Sequence, residues 1–169
     1  MTADQTERRL TNRVLRVWKS LASDGFPSRA QIDPTAFGAD WSQCLMIDIA
    51  PELRRSRFSH VGTALRDPSW PTFDRQCLAE CLDGSLLELV TRHVPRLLQA
   101  NKPVTAGGQA VHEEANILYR TILLPLSESG HQVDGVLAAV GYREIAATAD
   151  MAVDLRPDLS VFESPATRQ

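Results

Sequence analysis

The sequence lacks several features that would assign it to an obvious functional class. No window approaches ~18 uninterrupted apolar residues, which excludes a membrane-spanning helix. The polar stretch from Met1 to Leu10 has no apolar signal-peptide core, so we expect a cytoplasmic protein. Eighteen basic and 21 acidic residues give a formal charge of −3, and this balance does not support nucleic-acid binding, which needs a strongly basic face.

Cysteine is also scarce. Cys44, Cys77 and Cys81 form an odd set in a chain without a secretion signal, so we expect reduced thiols. The composition that remains, 43% hydrophobic and 23% charged, is typical of a globular protein. A chain of 169 residues fits one domain, whose core can form without disulfides or a metal.

Residues 1–26 are predicted to form an amphipathic N-terminal helix. Leu10, Val14, Trp18 and Leu21 recur three and four positions apart and give one apolar stripe. A glycine and a proline at 25 and 27 then end the helix. The stripe packs either on its own domain or on a second copy of the chain, and the spacing does not distinguish these alternatives.

Five strands and two helical pieces are predicted in the rest of the chain. The predicted strands cover residues 44–49, 57–63, 103–111, 116–125 and 133–142. A short helix at 77–82 and a longer one at 85–100 separate the second and third strands, and Pro95 should kink the longer helix. Hairpin-joined strands with segregated helices indicate an α+β domain with an antiparallel sheet.

Residues 143–169 differ in character and are predicted to form a flexible C-terminal tail. The alternative interpretation is a docking segment that uses Met151, Val153, Leu155, Val161 and Phe162. The chain is thus divided into an N-terminal helix at 1–26, a main domain at 27–142 and a tail at 143–169.

Three motifs of the main domain resemble a known family. They are PSRAQIDP at 27–34, FSHVGT at 58–63, and LPLS at 124–127 followed by Gly130 and by VD at 133–134. They are similar to the entry segment, the second strand and the final hairpin of PAS domains, in particular of the small stand-alone PAS proteins of alphaproteobacteria. The resemblance covers about residues 15–142 and implies a five-stranded antiparallel sheet with helices over one face.

Four residues are candidates for ligand binding: Trp70, His93, Tyr119 and Arg120. Trp70 lies where PAS folds cover their ligand cavity, although RDPSWP at 66–71 replaces the family's Gly-rich connection there. His93 is on the helix from which some PAS sensors ligate haem, but a lone histidine on an apolar face is more often a hydrogen-bonded core residue. Tyr119 and Arg120 are strand neighbours, so only one of them faces the helices.

Cys77 and Cys81 are the candidates for a metal site. Spaced four apart on one face of the predicted short helix, they could bind zinc or iron together with a histidine. The chain has no second closely spaced ligand pair, and the two cysteines alternate with Leu78 and Leu82. Packed thiols are therefore the favoured interpretation. We expect no metal and no cofactor, with haem as the alternative.

The resemblance implies a non-catalytic, cytoplasmic sensory or regulatory module in bacterial two-component signalling, motility or cell-cycle control. Such a module binds a small molecule, a signalling protein such as a histidine kinase or response regulator, or both. Val14, Trp18 and Leu21 are the predicted interface, for a partner or for a homodimer. The alternative function is a redox sensor that carries haem or a metal at His93 or at the two cysteines 77 and 81.

Overall fold

The computed structural model describes residues 3–66, 76–81, 83–112 and 114–146, and for residues 3–8 the backbone alone. This part of the chain contains the helices α1 (Ala3–Leu21), α2 (Pro34–Phe37), α3 (Leu86–Thr91) and α4 (Val94–Ala100). Its strands are β1 (Cys44–Asp48), β2 (Arg57–Val61), β3 (Val104–His112), β4 (Ala115–Leu126) and β5 (Gly135–Glu144). No helix among the described residues is long and apolar enough to span a bilayer.

The five strands form one sheet in the order β2-β1-β5-β4-β3, and every neighbouring pair is antiparallel. Strands β3, β4 and β5 follow one another as a meander. The hairpin of β1 and β2 joins this meander through β1, which pairs with β5. Helices α3 and α4 lie in the connection between the two halves of the sheet. The predicted α+β class and five-stranded antiparallel sheet are confirmed.

Each face of the sheet carries its own apolar core, because successive side chains of a strand point to opposite sides. On one face, Leu45, Ile47 and Val136 pack with the buried residues of α3 and α4. On the other face, Ile122 and Leu124 pack with α1. Helices therefore cover both faces: α3 and α4 lie on one, and α1, which the prediction counted separately from the helices of the domain, lies on the other.

Helix α1 lies on the sheet through the apolar stripe seen in the sequence. Leu10, Val14 and Trp18 are only 2%, 1% and 7% exposed, and Leu21 is half-buried against the same cluster. The predicted interface of Val14, Trp18 and Leu21 is thus packed inside its own domain. It is not available to a partner in this arrangement, because the apolar side chains of β4 and β5 on this face need the cover that α1 provides.

A hydrogen bond joins α1 to an unusual position in β4. The indole nitrogen of Trp18 donates to the carbonyl oxygen of Pro125 at 3.0 Å. Strand β3 begins at Val104, which pairs with Leu123, so none of the described strands runs beside Pro125 on that side. The missing N–H of the proline therefore costs no ladder hydrogen bond, and its carbonyl oxygen is open to Trp18.

The predicted helix at 85–100 is two helices separated at Arg92 and His93. Pro95 has no N–H for the carbonyl oxygen of Thr91, and its ring would collide with that carbonyl in a continuous helix, so α3 ends there and α4 begins with the proline in its first turn. The predicted short helix at 77–82 is only a 3₁₀ turn at Leu78–Glu80.

The boundaries at the C-terminal end also differ from the prediction. Strand β5 continues to Glu144, two residues beyond the expected end of the domain at Tyr142. Residues 147–169, which hold all five apolar residues of the predicted docking segment, lie outside the described residues, as does Trp70.

Candidate functional site

A surface groove of about 490 Å³ lies beside α3, between the 3₁₀ turns Leu53–Arg55 and Leu78–Glu80. The two turns are held together by a hydrogen bond from the backbone N–H of Leu78 to the carbonyl oxygen of Ser56, at 2.9 Å. Leu53, Leu78 and Ala79 give the groove apolar walls, and Thr91 contributes from α3. This combination of apolar walls and a few polar groups is typical of small-molecule sites.

An ion pair on α3 forms one rim of the groove. The guanidinium group of Arg92 donates to the carboxylate of Glu88, with Nε to Oε1 at 3.1 Å and an NH2 nitrogen to Oε2 at 2.6 Å. The hydrogen bond to Glu88 is the main cause that raises the pKa of Arg92. The residues are four apart, one turn of helix, which is the spacing at which such pairs form. The ion pair holds the guanidinium group of Arg92 in one orientation. An anionic group of a ligand could bind this guanidinium group if it displaced the carboxylate of Glu88.

Tyr119 lies close to this pair on the helix-covered face of β4. Its side chain is 4% exposed and belongs to the same apolar cluster as Leu53, Leu78 and Cys81. Burial raises the pKa of Tyr119, and the nearby charge of Arg92 opposes this effect. Tyr119 is therefore a neutral phenol near the ion pair that lines the groove.

His93 follows the ion pair and begins α4. Its Nε2 atom is buried, and it has no hydrogen-bond partner among the described residues. Burial is the main cause that lowers the pKa of His93, and the positive charges of Arg92 and Arg96 act in the same direction. The ring is consequently neutral at neutral pH, with a nitrogen that can accept or donate one further hydrogen bond.

The cysteines do not form the predicted arrangement. Cys77 and Cys81 flank the 3₁₀ turn and do not share a face of a helix. Burial raises the pKa of Cys81 to about 12, and the same cause raises that of Cys44 to about 12. Both thiols are protonated at neutral pH and are poor nucleophiles and metal ligands in that form. Within the described ranges, no group of three or more His, Cys, Asp or Glu residues could hold a metal ion.

Two of the four predicted ligand residues come together, and the others do not. His93 and Tyr119 both lie near the ion pair of α3. Arg120 pairs with Gly107 in the sheet and points to the face that carries α1, as expected for the strand neighbour of Tyr119. Trp70 lies outside the described residues.

A second cleft of about 650 Å³ lies at the ends of β1 and β2, with Asp48, Arg55, Arg57 and Phe58 among its lining residues. Its basic residues are Arg55 and Arg57, and the contact of Arg55 with Glu52 at 3.7 Å partly neutralises this charge. We consider the groove beside α3 the stronger candidate because it sets a preformed ion pair against apolar walls.

No protein-family model matches the chain, and no curated protein is significantly similar to it. Function is therefore inferred from the fold and from the groove.

Proposed function

We propose that the protein is a PAS-like regulatory module without catalytic activity, which binds a small molecule in the groove beside α3. The groove carries this proposal, since it combines apolar walls with a preformed ion pair, and since Tyr119 and His93 lie near that pair. The strand arrangement supports the resemblance to PAS domains, because a two-stranded hairpin and a three-stranded meander share one antiparallel sheet. The protonated state of Cys44 and Cys81 argues against thiol catalysis at these two residues.

Regulation would follow from a shift in conformational population. A ligand that fits the groove better when α3 is in one position stabilises that position, by no more than its difference in affinity for the two states. Because α3 and α1 pack on opposite faces of the same strands, this shift changes the surface offered to a signalling partner. A histidine kinase or response regulator in the bacterial cytoplasm is the class of partner that the family resemblance suggests.

Filling the groove tests the proposal. Ala79→Trp places an indole at an exposed position in the wall of the groove, and Ala36→Trp adds the same group at an exposed position of α2 as the control. Native mass spectrometry of freshly purified protein measures any co-purified small molecule, and thermal unfolding across a metabolite panel measures stabilisation by added compounds. We expect mass increments and stabilisation in the wild type and in the control, and neither in Ala79→Trp.

Two results would contradict this proposal. The first is a bound molecule that Ala79→Trp retains as well as the wild type does, since the site would then lie elsewhere. The second is a panel in which no compound raises the midpoint of unfolding and no molecule co-purifies. In that case the groove is a feature of the surface only, and binding to a protein partner remains as the basis for a regulatory role.

A redox sensor with haem bound at His93 is a second candidate, favoured by the buried Nε2 atom of that residue. The surrounding side chains fit a haem group poorly, because Val90, Val94 and Leu97 are fully buried and fill the core next to His93. The visible absorbance spectrum of the purified protein decides between the candidates. A Soret band that disappears in His93→Gln would support the sensor and contradict the first proposal.

A further inference from the structure

The face of the sheet that carries α1 extends beyond the apolar cluster that α1 covers. Leu118 and Arg120 of β4 continue on this face from Ile122, two residues at a time. In the sheet register Leu118 pairs with Arg143 of β5 on one side and with Gln109 of β3 on the other, so these residues share the face. With Val111 of β3 they form what we call the arginine patch: Gln109, Val111, Leu118, Arg120 and Arg143.

The arginine patch has apolar and positively charged parts. Val111 is 61% exposed, which is unusual for a large apolar side chain in a strand of this protein, and Leu118 is half-buried. Arg120 and Arg143 supply two positive charges. The Nε atom of Arg143 is buried and has no hydrogen-bond partner among the described residues. A carboxylate would satisfy this donor with a charge-assisted hydrogen bond.

We propose that the arginine patch is the docking site of the chain's own C-terminal segment, residues 147–169. The described chain leaves the sheet at the border of the patch, since β5 ends one residue after Arg143. The backbone N–H of Ile145 still donates to the carbonyl oxygen of Asn116 at 2.8 Å, which holds the start of the segment beside β4. Three neighbouring strands span only about 10 Å, so the first few residues of the segment can reach across the patch.

The composition of the segment complements the patch. It contains four acidic residues, Asp150, Asp154, Asp158 and Glu163, and only two basic residues, Arg156 and Arg168. Its apolar residues are Met151, Val153, Leu155, Leu159, Val161 and Phe162, together with several alanines. A carboxylate of the segment can therefore pair with Arg143 while its apolar side chains cover Leu118 and Val111.

Covalent attachment favours this occupant over a separate molecule. A short tether gives its bound segment an effective concentration of about millimolar, well above the concentration of a second copy or of a cellular partner. A partner of equal intrinsic affinity must therefore displace the segment before it can bind. The inference is independent of the proposed ligand groove, which lies on the opposite face of the sheet.

Limited proteolysis of the full chain tests the docking. Chymotrypsin can cleave after Leu155, Leu159 and Phe162, and intact-mass spectrometry gives the rate at which the segment is lost. We expect Leu118→Glu and Arg143→Glu to accelerate cleavage about tenfold, because they increase the undocked population. Arg54→Glu is the control, since Arg54 is an exposed arginine remote from the patch, with its side chain 76% exposed, and it should leave the rate unchanged.

A variant of the segment itself keeps the test valid if a patch variant fails to fold. Replacing Asp150, Asp154 and Asp158 by Lys leaves the sheet intact, and we expect the same acceleration; combining it with Arg143→Glu should restore slow cleavage. The proposal is overturned if the segment in the full chain is cleaved as fast as a synthetic peptide of residues 147–169. It is also overturned if none of the variants changes the rate, or if protection increases with protein concentration, which would identify a second copy as the occupant.

Discussion

Replacing Trp18 by Phe tests whether α1 is part of the folded core. In the wild type the indole nitrogen donates to the carbonyl oxygen of Pro125, at 3.0 Å, in a buried environment. Strand β3 begins at Val104, so none of the described strands lies beside this carbonyl on that side, and phenylalanine would leave it without a donor. A buried acceptor without a partner costs about 1–3 kcal/mol. The smaller ring adds about 1 kcal/mol through lost packing.

The expected loss in the free energy of unfolding is therefore about 2–4 kcal/mol. Urea denaturation followed by far-ultraviolet circular dichroism measures it without depending on tryptophan fluorescence. With a slope of about 2 kcal/mol per molar urea, the midpoint should fall by about 1–2 M. The slope itself should stay unchanged, because α1 and the sheet unfold together in both proteins.

Trp41→Phe is the matched control for the loss of an indole. Trp41 is half-buried and stacks on His60 with ring centroids 4.3 Å apart, but its indole nitrogen has no hydrogen bond within the described residues. We expect the control to cost about 1 kcal/mol or less. If Trp18→Phe is no more destabilising than the control, the packing of α1 on the sheet is not maintained in solution, and the stripe would again be free for a partner.

Three further predictions concern the sheet and the titratable groups. Gly107→Ala should lower the free energy of unfolding by about 1–3 kcal/mol, because its Cβ would lie 2.7 Å from a backbone oxygen of β4. Gly108→Ala is the control and should be nearly neutral in the same urea assay, because the atom nearest to its Cβ would be 3.9 Å away. Because the folded pKa of His93 is lowered, the unfolded chain binds more protons below about pH 6.5, so stability in the urea assay should fall there with decreasing pH. His93→Gln should reduce this loss, and an equal loss in this variant would contradict the assignment. Cys81, with its pKa raised from 9.0 to about 12, should react with iodoacetamide at pH 8 about a thousandfold more slowly than free cysteine, measured by peptide mass spectrometry; a comparable rate would contradict the burial of this thiol.

The strands were predictable because their alternating pattern is local. Each predicted strand overlaps an observed one, and no limit differs by more than two residues. The sequence predicted a kink at Pro95, whereas the structure has two separate helices. A proline always removes one helical hydrogen bond, but the sequence does not show whether the helix bends or ends there.

The covering of both faces could not be read from the sequence. The stripe of Val14 and Trp18 has the same spacing whether it packs on its own sheet or on another molecule. The sequence did contain the needed complement, since Ile122 and Leu124 alternate with residues that face the other side, but their position opposite α1 follows from the strand order. Strand order depends on pairing between segments that are distant in sequence, and no local pattern encodes it.

The candidate groove also combines features that follow from local sequence with features that depend on contacts between distant segments. The pair of Glu88 and Arg92 has the spacing of a helical ion pair and could have been proposed from the sequence. The walls of the groove could not, because Leu53 and Leu78 are 25 positions apart and are brought together by pairing between distant segments, including the hydrogen bond between Leu78 and Ser56. Packed thiols were the favoured interpretation of Cys77 and Cys81, and burial of the second thiol, which raises its pKa to about 12, agrees with it.

A central strand between two cores gives the proposed regulation a physical route. Strand β4 directs Tyr119 toward the ion pair of α3 and Ile122 toward α1, with only two residues between them. Close packing on both sides means that β4 cannot shift at one face without changing contacts at the other. A ligand in the groove can therefore bias the position of α1 only if its contacts with α3 differ between the two positions of β4. Tight binding without such a difference would leave α1, and any partner that senses it, unaffected.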